Sequence, residues 1–338
     1  MEHPRRALIV ENGAIVEHLL AAALLAAALG AAWAESGSTL AARVREGRPW
    51  LAWVEARERG RPAPPSLLLA VYDPVPRRLR LIHVPGDLKL EPKGRRTLER
   101  AYLEALKQTE DPDAAARAAE DLAEAHLREL SPEPVPAVSA RLVIELAPLE
   151  PEDEPSLEAA RELKARGRRF RTWLALTRRA FRGLLDRDRS GLDALLFALE
   201  LRRVPLEKLE PARLPADDLA PDFLGRLLST EPPPENARPA TAEVLNGAGA
   251  PGLASRAAKV LRSKGVDVLT TASAPPRART LVYDRIGDFA RAEKARAALG
   301  CPDARTATRL DPSRAVDVSV ELGLDCASDF GTGESREP

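Results

Sequence analysis

Gly247, Gly249 and Gly252 stand in G-x-G-x-x-G spacing, between a strand-like run that ends at Asn246 and a helix-like run that starts near Pro251. A strand, a glycine turn and a helix together present backbone N–H groups to the pyrophosphate of a dinucleotide. That chemistry also needs a carboxylate at the end of the second strand, about twenty residues on, to hold the ribose hydroxyls. Here the second strand ends Leu269-Thr-Thr271, and Asp267 stands at its beginning. The remaining chain is too short for a second mononucleotide half, and no Gly-Lys-Ser/Thr follows to make a P-loop. Asn246, Gly247, Gly249 and Gly252 are therefore read as a structural turn, using the tolerance of glycine for positive φ and close backbone approach.

Other chemistry is sparse. His3, His18, His83 and His126 are the four histidines, and Cys301 and Cys326 the two cysteines, with no H-x-x-x-H or C-x-x-C spacing among them. No metal site is predicted from that set. The two cysteines are small core residues in a reducing compartment, or one disulfide in an exported chain. There is no G-x-S-x-G elbow. The 51 basic and 51 acidic residues balance, and aromatic residues are 4% of the 338, so neither a global field nor a stacking platform for nucleic acid is present. Arg166, Arg168, Arg169 and Arg171 form a basic run: a solvated helix face, or a contact for anionic headgroups or phosphate-bearing polymer.

The elements that must position these residues begin with an uncharged run, Leu19 to Ala34, preceded by Arg5 and Arg6. With Ala14, Ile15 and Val16 it approaches the ~20 residues that span a bilayer, and the arginines favour an inside N-terminus. Ala32-Trp-Ala34 is alternatively a signal-peptidase site, and an Ala-rich buried helix is the third reading. The anchor is preferred, so residues 1–37 are expected to be an anchor or signal segment, with the soluble part outside the cytoplasm.

Thr39 to Arg59, with Trp50 and Trp53, has an amphipathic helical pattern. Strands are expected at Ser66–Asp73, Arg78–Val84 and Ser139–Leu146, and helices at Thr97–Leu106, Pro112–Leu130, Ser156–Leu185 and Gly191–Arg203. Leu206, Leu209 and Leu214 continue an apolar thread. A first region, 38–230, ends at a Pro-rich linker, 231–239. Beyond it come strand 242–245, helix 252–264, strands 266–271 and 280–283, helix 289–299 and strand 316–322, with a disordered tail over 327–338.

Val244 to Ala254, followed by Ala257 to Val268, resembles the LytR C-terminal domain, and Thr280 to Asp284 and Val316 to Val320 fit its later pattern. The resemblance covers about Ala240 to Asp325 and implies a binding or assembly role in the bacterial envelope. Leu67 to Asp87, Thr97 to Tyr102 and Arg141 to Leu146 resemble a shortened, divergent LytR–CpsA–Psr domain over about Pro65 to Pro215. That family transfers a glycopolymer from a polyprenyl-pyrophosphate carrier, with arginines neutralising the pyrophosphate and carboxylates holding a divalent metal. Here Gly86 stands at the signature arginine, Pro65 or Ser66 at the first acidic residue, and Thr97 and Glu99 at the helix-start Lys and Asn. Gln108, the single glutamine, cannot complete the family's later glutamine–arginine pattern. Asp87 is the remaining candidate catalytic residue.

The expectation is an α/β chain: an N-terminal membrane helix, a divergent LytR–CpsA–Psr-like α/β domain, and a small C-terminal α/β domain over 240–326. Its expected function is that of a membrane-anchored, non-catalytic envelope module that binds a wall polymer or envelope protein without a cofactor. The alternative is an active phosphotransferase using Mg²⁺.

Overall fold

The computed structural model describes residues 37–331, apart from 61–62, 91–95, 132–134, 136–137, 150–152, 167–175, 178–189, 216–218 and 229–237. The expected N-terminal span, most of the Pro-rich linker, and Arg168, Arg169 and Arg171 lie outside the described residues. Among the described residues no helix is long and apolar enough to cross a membrane.

The described residues open with helix α1 (Thr39–Glu46), where the Ser38 hydroxyl accepts the Ala41 N–H and Gly47 ends the helix at φ +66°. The single helix expected to Arg59 is not formed. Residues preceding proline disfavour the helical region, so Gly47 and Pro49 break the chain and strand β1 (Trp50–Glu58) begins. Its aromatic and β-branched residues suit a strand buried on both faces. Strands β2 (Ser66–Asp73) and β3 (Arg78–Val84) follow where expected.

Helix α2 (Leu98–Thr109) starts at a Thr97 cap, and α3 (Pro112–Leu130) at an Asp111 cap with proline in its first turn. Strand β4 (Ala140–Leu146), α4 (Pro155–Arg166) and α5 (Ser190–Arg203) come next. The apolar thread becomes strand β5 (Leu209–Arg213), followed by α6 (Ala220–Leu228), which the sequence reading does not anticipate.

The C-terminal unit comprises β6 (Thr241–Asn246), α7 (Leu253–Ser263), β7 (Asp267–Ser273), β8 (Leu281–Asp284), α8 (Phe289–Leu299), β9 (Arg305–Thr308), β10 (Val318–Leu322) and α9 (Leu324–Gly331). Strand β9 and helix α9 are further additions. Helix α9 carries the unit past the 327 start expected for a disordered tail, because Cys326 is bonded to Cys301 and the Asp325 carboxylate accepts the Thr280 N–H at 2.9 Å.

The ten strands among the described residues join one mixed sheet, ordered β4-β1-β2-β3-β5-β9-β8-β10-β6-β7. The sheet runs across the junction between the two regions expected from sequence, through one parallel residue pair, Ala212 opposite Thr308. On one face Leu51, Trp53, Leu69 and Ile82 pack beneath α2, α3 and α6. On the other, Trp50, Tyr72 and Leu81 pack against Ala159 and Leu163 of α4 and Phe197 of α5. Phe197 lies 5.1 Å from Trp50 and meets Tyr72 edge-on at 6.2 Å; such pairs add ~0.5–1.5 kcal/mol beyond burial. Helix α4 also spans the junction. Its Leu157 seals against Leu281, Tyr283 and Ala307 of the C-terminal strands.

Candidate functional site

The glycine turn closes on the fold itself. Gly247 N–H donates to the Leu322 carbonyl at 2.9 Å, and the Gly247 carbonyl accepts the Arg277 N–H at 2.8 Å. A Cβ at Gly247 would sit 2.9 Å from the Leu322 and Pro275 carbonyl oxygens, so only glycine permits this approach. Gly249 and Gly252 take φ of +69° and +72°. Asn246 locks the turn by donating from Nδ2 to the Ala250 carbonyl at 2.8 Å. The Gly247 N–H is therefore committed to the sheet and not presented to a phosphate.

What the turn positions is the loop that follows β7. The Arg277 carbonyl accepts the Leu324 N–H at 3.0 Å, and Gly323 lies so close that a Cβ there would be 2.3 Å from the Arg279 carbonyl carbon. Arg277, Ala278 and Arg279 form one wall of a cleft of about 490 Å³; Leu157, Glu158 and Arg161 of α4 form the opposite wall. Leu146, Pro148, Leu149 and Leu281 supply its apolar surface, and Arg305 also borders it.

Three of the four arginines that line the cleft meet on Glu158, one of four lining carboxylates together with Asp153, Glu154 and Glu162. Glu158 Oε1 accepts from Arg305 Nη1 at 2.6 Å and Arg279 Nη1 at 3.3 Å, while Oε2 accepts from Arg161 Nη1 at 3.0 Å. Burial, and then the like charge of Arg161, lower the Arg305 guanidinium from its ordinary value; Glu158 opposes them and Arg279 reinforces them. Arg277 is neutralised separately by Glu321 at 2.8 Å.

A second polar cluster lies within the N-terminal region. Buried Glu55 of β1 meets Arg57 Nε and Arg141 Nη2, each at 2.5 Å. Arg141 Nε lies 3.0 Å from Glu120 Oε1 on α3 without hydrogen-bond alignment. Burial pushes the Glu120 carboxyl up to about 7, against the pull of Arg141. Nearby, a cavity of about 210 Å³ is lined by Leu67, Gly86, Leu98, Glu99 and Tyr102.

Asp87 is not drawn into that cavity. Its side chain is 83% exposed, and Arg213 Nη2 approaches no closer than 4.0 Å. Among the described residues no group of three or more His, Cys, Asp or Glu side chains is placed to hold a metal ion. Cys301 and Cys326 form a disulfide with Cα atoms 5.6 Å apart, tying the end of α8 to α9.

Residues 240–325 match the family model of the LytR cell envelope-related transcriptional attenuator. This unit is a LytR C-terminal domain. A solution structure of the C-terminal domain of RV0431 is 30% identical to the chain, covers 28% of it and 80% of its own length, and has a TM-score of 0.19. No curated protein matches the chain. The match makes the unit a cell-envelope-related module, and places the glycine turn, Arg277, Arg279, Cys301 and Arg305 inside it, with Cys326 one residue beyond the matched span. Glu158 and Arg161 come from outside the LytR C-terminal domain, so the cleft exists only where the N-terminal region meets it.

None of Glu158, Arg161, Arg279 and Arg305 is singled out by the sequence. The one local signal is the Glu158–Arg161 pair at i,i+3 on a helix. Among 51 basic residues no single arginine distinguishes itself.

Proposed function

We propose that the chain is a bacterial cell-envelope protein, anchored by its N-terminal segment with its soluble part outside the cytoplasm. In it the LytR C-terminal domain acts as a non-catalytic module that binds a wall polymer or an envelope protein. The match over residues 240–325 carries this reading. The strand end that resembles the transferase signature supports it: Gly86 offers no charge to a pyrophosphate, and Asp87 projects into solvent. A Gly247 N–H held by Leu322 supports a packing role for the turn.

Fractionation and protease accessibility test the placement. The full-length chain should remain in membranes after alkaline carbonate extraction and be cleaved by external protease in spheroplasts; recovery in the soluble cytoplasm would overturn the anchor and the envelope role together. Purified walls should retain the chain, and deletion of residues 240–325 should abolish retention. Turnover of a polyprenyl-pyrophosphate-linked glycan with Mg²⁺, lost in Asp87→Ala, would replace the non-catalytic reading by the phosphotransferase one.

A further inference from the structure

We infer that the outward face of α7 docks a phosphodiester-linked polymer of the envelope through Arg256, Lys259, Arg262 and Lys264. This rests on the binding-module reading and deepens it by naming the ligand's chemistry and the surface that meets it.

The chain is neutral as a whole, but its charge is uneven here. From Leu253 to Tyr283 it holds six basic residues and one acidic residue, Asp267. Arg277 and Arg279 are paired with Glu321 and Glu158. The other four are exposed and make no ion pair among the described residues. The helices packed against α7 do not neutralise them. Glu293 of α8 pairs with Arg296 at 3.0 Å, and the Asp325 carboxylate of α9 accepts the Thr280 N–H and hydroxyl. Exposed Lys294 on α8 adds positive charge to the same helical layer. Such a one-signed patch attracts a polyanion.

Two of the guanidinium groups are already positioned. Arg256 Nη1 donates to the Pro251 carbonyl at 3.1 Å, and Arg262 Nη2 to the Val268 carbonyl at 2.6 Å. Each keeps further N–H donors for a ligand. From Arg256 to Lys259 to Arg262 the helix rises about 4.5 Å and turns about 60° per step, so the charges fan out. A run of tetrahedral phosphodiesters accepts from several directions, whereas a planar carboxylate is matched best by one coplanar fork. The remaining exposed positions of α7 are Ser255 and Ser263, with no leucine or aromatic ring to enter a lipid surface or stack on a base. The sheet order places β6 and β7, on which α7 lies, at the end away from the N-terminal strands, where a long polymer can pass.

The test uses the full-length chain in non-ionic detergent micelles, titrated calorimetrically with poly(glycerol phosphate) and, separately, with polygalacturonate. Saturable binding of the phosphodiester polymer is expected, falling steeply with salt as its counterions are released. Lys259→Gln combined with Lys264→Gln should weaken it roughly fivefold and flatten the salt dependence. Lys107→Gln combined with Lys208→Gln removes the same charge from exposed positions of the N-terminal region and should leave binding unchanged. Thermal melts followed by circular dichroism confirm that both variants are folded. Four results overturn the inference: no saturable binding, equal loss in the two double variants, polygalacturonate bound as tightly, or displacement of the polymer by phosphatidylglycerol in mixed micelles. The last would make a membrane surface the occupant. Wall retention that survives Lys259→Gln with Lys264→Gln removes this face from the function and leaves the binding-module reading standing. Wild-type chain that walls do not retain removes that reading.

Discussion

Replacing Glu120 by glutamine should change the pH dependence of stability in one direction. The carboxyl is 4% exposed, faces Arg141, and feels the like charges of Glu55 and Asp121. Burial outweighs the arginine and raises it from 4.5 to about 7 in the folded chain. Between those values the native state holds a proton that the unfolded chain releases. The group's contribution to stability is therefore complete below about 4.5 and lost as pH rises through about 7. One pKa unit corresponds to about 1.4 kcal/mol, so the swing is about 3 kcal/mol across the window.

Glu120→Gln abolishes this titration while keeping the side chain's shape. Asp284 is raised to about 6 by burial and has the same sign, but it is common to both proteins and cancels in their difference. Urea unfolding by circular dichroism, at pH 8, 7, 6 and 5, should show wild type losing stability relative to Glu120→Gln as pH rises. A constant gap, or one moving the other way, would show that burial does not dominate at Glu120. The reasoning about the Glu55–Arg141–Glu120 cluster would then be wrong.

Two substitutions in the glycine turn separate packing from backbone strain. Gly247→Ala meets carbonyl oxygens at 2.9 Å and should cost ~1–3 kcal/mol, whereas Gly249→Ala enters open space at φ +69° and should cost ~1 kcal/mol. Urea midpoints that reverse this order refute the packing role. Reducing the Cys301–Cys326 bond, which spans a sequence separation of 25, should destabilise the chain by about 3 kcal/mol, read as a lower Tm in dithiothreitol. An unchanged Tm would mean that this tether adds nothing to α9.

Local chemistry made much of the secondary structure legible. Asp111 with Pro112 marks the start of α3, Gly300 ends α8 in the left-handed conformation, and the Pro74–Pro76 turn separates β2 from β3, because caps and turns act over a few residues. The runs Val244 to Ala254 and Ala257 to Val268, with Thr280 to Asp284 and Val316 to Val320, carried the resemblance to the LytR C-terminal domain. The Trp50–Trp53 segment misled because both faces of β1 are buried. Trp53 enters the core under α2 and α3 while Trp50 enters the opposite one, so no alternation of apolar and polar residues remains to mark a strand.

Tertiary structure decided the rest. The pairing of Ala212 with Thr308 and the seating of Leu157 on the C-terminal strands follow from sheet order, which no local window contains. Glu158 meets Arg279 and Arg305 across 121 and 147 residues of chain. Coulombic attraction would let any carboxylate accept any of the arginines. Only the packing of α4 across the junction selects which of them share a cleft.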